Sequence, residues 1–447
     1  MPDASSPKPA LHRSLSLAQG TAINMIDMVG IGPFLTVSMV AGAMQGGAAI
    51  LAWLLGALLA YLDGMIWSEL GARWPEAGGS YVFLRKLYGD GWFGQLMPFL
   101  LVWQTVIIAP LTMASAAIGF SGYLNYLIPL SPLAQKAVSG GLVILVVAVL
   151  YRNIQTIGKI SMILGVITIG TIVWIIASGA PHFNRAQAFH WDLSGFSTCA
   201  LLYGALGHAT LKTVYSYLGY YNVVNLGGEI KNPERNIPRS IFLSVTVIAL
   251  LYIGMQWALL GNLPWETIAR SNFVISTYIE KIYSPAVANV ATLLILIIAS
   301  SSLFSLTLGY SRVPYAAATK GDFFPVFARL HPKHHFPHVS LLVMGVLGFV
   351  FSLTFKMEKA ITAIVVTRIL VQFLGQSIGL IRWHIVQPRD LRPYRMPLFP
   401  VPALVSISIW LFIFLTSPIN NIEAALGIIS LGVLLFFLKR ARFLTFR

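Results

Sequence analysis

Four ionisable side chains fall inside long apolar stretches of this 447-residue sequence: Asp27, Asp63, Lys212 and Arg368. Holding a charge at that depth in hydrocarbon costs from about 2.5 kcal/mol upward, so each is a candidate for function. Asp27 is the sharpest of them. It immediately precedes Met28-Val29-Gly30-Ile31-Gly32-Pro33, where two glycines permit irregular dihedrals and the proline favours the first turn of a new helix. A buried carboxylate there can exchange a proton, sit beside Na⁺ or attract an amine. The plainer reading is a fixed salt bridge to Lys212 or Arg368. Asp63 can pair with a cation across the bundle, and Glu69 reads as structural, near a membrane interface. His208 reads as a hydrogen-bonded core or entrance histidine. Ser300, Ser301, Ser302 and Ser305 can offer hydroxyls to Na⁺, or bond back to their own helix and mediate packing.

A second interruption lies in Tyr215-Ser216-Tyr217-Leu218-Gly219-Tyr220-Tyr221-Asn222. The tyrosines are denser than lipid packing requires, and one or two are expected to line or gate a pocket. No Walker-type Gly-Lys-Ser/Thr and no Cys-x-x-Cys spacing occurs. His331, His334, His335 and His338 read as a basic interfacial loop rather than a metal site. No cofactor is expected beyond a coupling ion, H⁺ or Na⁺, and no catalytic constellation points to an enzyme.

The elements that must position these residues are membrane spans. Only 10% of the chain is charged and 57% is hydrophobic, whereas soluble domains are about a quarter charged. Apolar runs long enough to cross a bilayer recur at 16–43, 47–70, 93–125, 133–151, 157–178, 198–228, 240–260, 285–315, 338–355, 360–383, 401–418 and 421–438, about twelve in all. Of 30 Lys and Arg residues, 22 fall on the side of the N-terminus and six on the other, leaving Lys212 and Arg368 within spans. That asymmetry predicts both termini in the cytoplasm of an inner-membrane protein. It explains the net charge of +15 by orientation and contact with anionic lipid, not nucleic acid. No cleavable signal peptide precedes the first span, and the single cysteine, Cys199, carries no disulfide information.

Interruptions in corresponding spans, the first and the sixth, predict an inverted repeat of five plus five helices with a site at the midplane. The repeats cover 16–178 and 198–383, with 1–15 and 439–447 as tails and 401–438 as two further spans. Four segments carry a family resemblance: Gly30-Ile31-Gly32-Pro33-Phe34, Trp67-Ser68-Glu69-Leu70 with Pro75 through Leu84, Glu229 through Pro238, and Ser311-Arg312 with Gly321 through Pro325. In order and spacing they resemble the amino acid–polyamine–organocation superfamily of transporters.

The resemblance implies an all-α leucine-transporter-type fold and a permease for amino acids, polyamines or related amines, working by symport or exchange. It places a substrate carboxylate on the amides of Ile31 and Gly32, around Gly30. It places the ammonium on the carbonyls of Met28, Tyr215 and Leu218, beside Gly219. A half-helix start presents unpaired N–H groups and the opposite ends present carbonyls, so one zwitterion satisfies both where water is scarce. Pro33 removes one donor beside the anion site, and Ile31 replaces the small hydroxyl residue usual between the glycines. A membrane sensor that keeps the site without transporting is the alternative.

Overall fold

Ser16 starts the first helix, α1 (Leu17–Met28). Its hydroxyl accepts from the Gln19 N–H while the Gln19 side chain accepts from the Ser16 N–H, which satisfies two groups a helix start leaves unpaired. Three residues after Met28 the chain resumes as α2 (Gly32–Met44), with Pro33 in its first turn. The two axes are bent by 46°. The computed structural model, which describes residues 11, 13–152, 154–191, 198–355, 357–387 and 393–445, continues in the same all-helical manner. Among the described residues the only β-structure is two isolated bridges, Leu15 with Ile230 and Ala77 with Leu226. Lys8, Lys356, Arg389, Arg392 and Arg447 of the cation asymmetry lie outside the described residues.

The following helices are α3 (Ala49–Arg73), α4 (Ser80–Tyr88), α5 (Trp92–Leu127), α6 (Pro132–Leu150), α7 (Ile154–Gly179) and α8 (Arg185–Ala188). The sixth apolar stretch forms α9 (Cys199–Tyr217) and, beyond the interruption, a single turn, α10 (Asn222–Asn225). Then come α11 (Pro233–Asn262), α12 (Trp265–Arg270), α13 (Val274–Ile282), α14 (Pro285–Tyr310), α15 (Arg312–Thr319) and α16 (His338–Thr354). In α17 (Met357–Arg368) and α18 (Gly375–Val386) one stretch is divided by a π-helical turn at Ile369–Leu374. The last helices are α19 (Val401–Leu415) and α20 (Ile419–Thr445). Among the described residues eight segments are long and apolar enough to cross a membrane, nine if the bent α1–α2 pair is one span, and α16 and α19 are shorter apolar helices. This is a chain built to cross a membrane several times.

Two borders differ from the sequence expectation. Helix α11 begins at Pro233 rather than near 240, because Asn232 takes a left-handed conformation (φ 45°) and Pro233 and Glu234 fill the first turn. These are start signals that sit inside the motif Glu229–Pro238 and read there as loop. Helix α20 continues to Thr445, past the cations Lys439, Arg440 and Arg442.

The motif segments meet at the bundle end that carries Leu15. Arg312 forms a buried ion pair with Glu229, Nη2 to Oε1 at 3.0 Å, both side chains 2% exposed. Asp322 accepts from Tyr81 and Arg85 of α4. Burial and the bond to Asp322 push the Tyr81 phenol above its usual range, so it remains a donor at physiological pH. Gly79 (φ 50°) brings backbone against the Asn225 side chain, where an added Cβ would stand 2.3 Å from Oδ1. Glu69, fully buried, lies 2.6 Å from His384 Nε2 and accepts from the Met396 N–H at 2.8 Å. Its structural reading agrees with these bonds, whose partners the sequence does not reveal.

Candidate functional site

The two chain interruptions lie against each other. Gly219 has φ 118°, and a Cβ there would stand 2.8 Å from the Asp27 carbonyl carbon and the Met28 nitrogen. Only glycine permits both that dihedral and that approach. Asn24 clamps the pair. Its Nδ2 donates to the Tyr220 carbonyl at 2.6 Å and its Oδ1 accepts from the Val223 N–H at 2.8 Å. One side chain on α1 thus serves backbone groups that the break after α9 removes from a helical ladder. From α11, the Tyr252 hydroxyl lies 2.8 Å from the Met28 carbonyl and 3.2 Å from the Ser216 carbonyl and donates to them. Thr36 and Ser216 join α2 to α9 through their hydroxyls at 2.7 Å.

Between the interruptions is a cavity of about 40 Å³, room for a few water molecules at roughly 10–15 Å³ each. Its wall includes Met28, Gly30, Ile31 and Gly32 from the first break and Tyr215, Leu218 and Gly219 from the second. These are the seven residues expected to hold a substrate, brought to one place. Asp27, Ser302 and Arg368 reach the same cavity. Asp63, Lys212 and Ser301 are not on its wall.

Several expectations are corrected. No ion pair reaches Asp27 among the described residues, so the salt bridge to Lys212 or Arg368 is not formed, although Asp27 and Arg368 share the cavity. Asp63 pairs with no cation either. Its carboxylate accepts from the Trp67 indole at 2.8 Å, from Tyr220 and from Ser406 at 3.4 Å, so neutral donors surround it. His208 is exposed on α9 rather than buried in a core. The serines of α14 divide by face. Ser300 and Ser301 bond back to Leu296 and Ile297, while Ser302 and Ser305 donate to the carbonyls of Asp27 at 3.3 Å and Ile23 at 2.8 Å.

Of the tyrosine cluster, Tyr215 lines the cavity and meets Ser115 at 2.9 Å. Tyr217 donates to the Trp53 carbonyl at 3.4 Å and Tyr221 stacks on Trp67 at 4.3 Å, as helix contacts. Among the described residues no group of His, Cys, Asp and Glu is placed to hold a metal. His331 instead organises its own loop, its Nδ1 accepting from the N–H groups of Lys333 and His334.

The backbone at the site is unequally occupied. The Met28 carbonyl already accepts from Tyr252 and from the Gly30 N–H at 3.2 Å, which uses both of its lone pairs. The Tyr215 carbonyl accepts from Leu218 at 3.3 Å. At the α2 start, Ile31 and Gly32 open a helix with no side-chain cap, so its first N–H groups face the cavity with the positive end of the helix dipole. Arg368, 4% exposed, donates through Nη1 to the hydroxyls of Tyr221 (2.9 Å) and Tyr310, and lies over the Tyr310 ring. Its Nη2 has no partner among the described residues. The π-helical turn begins at the next residue, a local widening frequent at functional sites.

Sequence reasoning missed Asn24, Tyr252 and Tyr310. Asn24 carried a usable signal, a polar amide one turn before Asp27 in an apolar run. The tyrosines carried none, since their partners are far away in sequence.

The sequence profile of the family described as amino acid permease matches residues 15–438. Cationic amino acid transporter 4 of Mus musculus is 25% identical over 409 residues, which cover 86% of this chain and 62% of that protein. The cystine/glutamate transporter of Homo sapiens is 24% identical over 435 residues, 94% and 84% of the two chains. The methylthioribose transporter of Bacillus subtilis (strain 168) is 24% identical over 456 residues, 97% and 95%. The chain thus spans under two thirds of the length of cationic amino acid transporter 4. These relatives are named as transporters, none as an enzyme.

Proposed function

Because the chain belongs to the amino acid permease family, we propose that it is a secondary transporter moving amino acids or related amines across the cell membrane by alternating access. The observation that carries this is the meeting of two interrupted helices around one cavity, with a helix start and a carboxylate on its wall. A substrate carboxylate binds the N–H groups of Ile31 and Gly32. Its ammonium binds the carbonyls of Tyr215 and Leu218, with Met28 joining once Tyr252 releases it.

The architecture is read as twelve spans, of which ten form two inverted repeats, 16–178 and 198–383, followed by 401–438. Packing supports this. The second and seventh spans (α3, α11) pack together, as do the third and eighth (α5, α14). The first packs on the seventh (α1, α11) as the sixth packs on the second (α9, α3), the exchange an inverted repeat requires. Both termini, and the bundle end carrying Leu15, lie in the cytoplasm by the cation asymmetry. Asp27 couples transport to the proton gradient by taking a proton on one side and releasing it on the other.

The test is uptake of labelled amino acids by the purified protein in proteoliposomes, alongside Gly32→Leu. A Cβ at Gly32 would stand 2.9 Å from the Tyr215 ring, so leucine fills the approach to the α2 start. Uptake is expected in the native chain and its loss in the variant, which remains monodisperse in detergent. Normal substrate affinity in Gly32→Leu removes this break from the binding site. Binding without flux in the native chain identifies a sensor instead.

A further inference from the structure

We infer that the substrate is an amino acid with an acidic side chain, and that Arg368 is the group that selects it. The inference rests on the transporter reading above and names its substrate class. The guanidinium is fixed before any ligand arrives. Its Nη1 is held by Tyr221 and Tyr310, it lies over the Tyr310 ring at 4.7 Å, and it stands on the cavity wall while 4% exposed. Nη2 finds no acceptor among the described residues. An arginine stays charged at any physiological pH, and a buried charged donor without a partner is costly. Asp27, on the same wall, forms no ion pair with it.

The cavity therefore presents two points that seek an anion, the start of α2 and the free arm of Arg368. The carbonyls at the end of α9, which seek a cation, lie on the same wall, and Asp27 beside them is the group that takes up a proton. One ammonium and two carboxylates match that pattern. A cationic side chain would face a fixed guanidinium, and a neutral apolar one would leave Nη2 unsatisfied. A carboxylate gains a charge-assisted bond. An amino dicarboxylate brings one excess negative charge into the cavity, and a proton on Asp27 cancels it. Charge balance thus fits the same residue as proton carrier.

The experiment is competition for uptake in proteoliposomes by L-glutamate, L-aspartate, L-glutamine and L-lysine. It is run on the native chain and on Arg368→Gln and Arg368→Lys, each checked for monodispersity. In the native chain the two acidic amino acids should compete at least about tenfold better than glutamine or lysine. Arg368→Gln should lower the glutamate-to-glutamine ratio about 10- to 100-fold, and Arg368→Lys should keep a weakened preference. If Arg368→Gln fails to fold, the native preference and the lysine variant decide. A native preference for lysine or glutamine overturns the inference and leaves the transporter reading standing, as does an unchanged preference in Arg368→Gln. Failure of the native chain to take up an amino acid of any charge removes the transporter reading, and this inference with it.

Discussion

The cavity and the Leu15 end of the bundle use charged residues in opposite ways. At the end, Glu229 is answered by Arg312, Asp322 by Tyr81 and Arg85, and Glu69 by His384 and a backbone N–H. At the cavity, Asp27 has no ion pair and Arg368 keeps one arm without a protein partner. Depth does not separate the regions, since Glu229, Arg312 and Arg368 are all buried. The difference lies in completion. A buried charge whose partners are built in fixes the fold, whereas one left incomplete makes the local energy depend on what enters.

Breaking the completed pair should have the largest effect. Arg312→Met strands Glu229 in a site where it is 2% exposed, which should cost about 3–5 kcal/mol of stability. The measurement is thermal unfolding in detergent without ligand. Replacing both partners, Glu229→Met with Arg312→Met, should recover most of the loss, because an apolar pair of similar volume needs no compensation. A single variant as stable as the native chain, or a double variant no better than the single, would show that the pair does not hold this end.

The incomplete site should respond through energetics of transport. Asp27→Asn keeps the shape of the side chain and removes its titration. One unit of pH difference is worth about 1.4 kcal/mol per coupled proton, a ratio of about ten in accumulation. Proteoliposomes with an imposed pH and voltage gradient should lose concentrative uptake in the variant while substrate exchange at zero gradient persists. Accumulation that survives the substitution removes Asp27 from the coupling role.

The same comparison explains what the sequence made legible. Apolar runs state that the chain crosses a membrane several times, and Gly30, Gly32, Pro33 and Gly219 state where two helices are interrupted, because dihedral freedom and missing donors are local properties. The resemblance to the transporter superfamily is what singled out Met28, Ile31, Tyr215 and Leu218, which line the cavity. Partners are another matter. Tyr252 meets the Met28 carbonyl across 224 positions, Arg312 meets Glu229 across 83, and Asp63 is served by neighbours 4, 157 and 343 positions away. Composition shows that such a residue needs a partner, but packing chooses which. That is why the alternatives for Asp27, a fixed ion pair or a free carboxylate, stayed open in the sequence while its place at the break was legible. The start of α11 was obscured for a different reason, its cap and proline falling within a polar motif.

The smallest expected effect concerns Ser302, and it bears on the choice between proton and sodium. Its hydroxyl donates to the Asp27 carbonyl at 3.3 Å, a long contact, while its neighbour Ser301 donates within α14 to Ile297 at 2.7 Å. If the proton on Asp27 drives transport, Ser302 contributes one neutral hydrogen bond between α14 and the end of α1. Such a bond at this distance belongs at the lower end of the usual range of about 0.5–1.5 kcal/mol, so Ser302→Ala should reduce uptake by no more than about threefold. Ser301→Ala should do less, since its bond stays within one helix and spans no moving contact. Neither variant should change a response to Na⁺, because uptake in the native chain is then indifferent to replacing Na⁺ by choline at constant pH. If Ser302 instead ligates a sodium ion together with carbonyls of α1, native uptake falls in choline and Ser302→Ala abolishes the sodium response altogether. That outcome would transfer the coupling role from the Asp27 side chain to the backbone beside it. It would also join the incomplete site to the completed regions, with a bound cation as the missing partner.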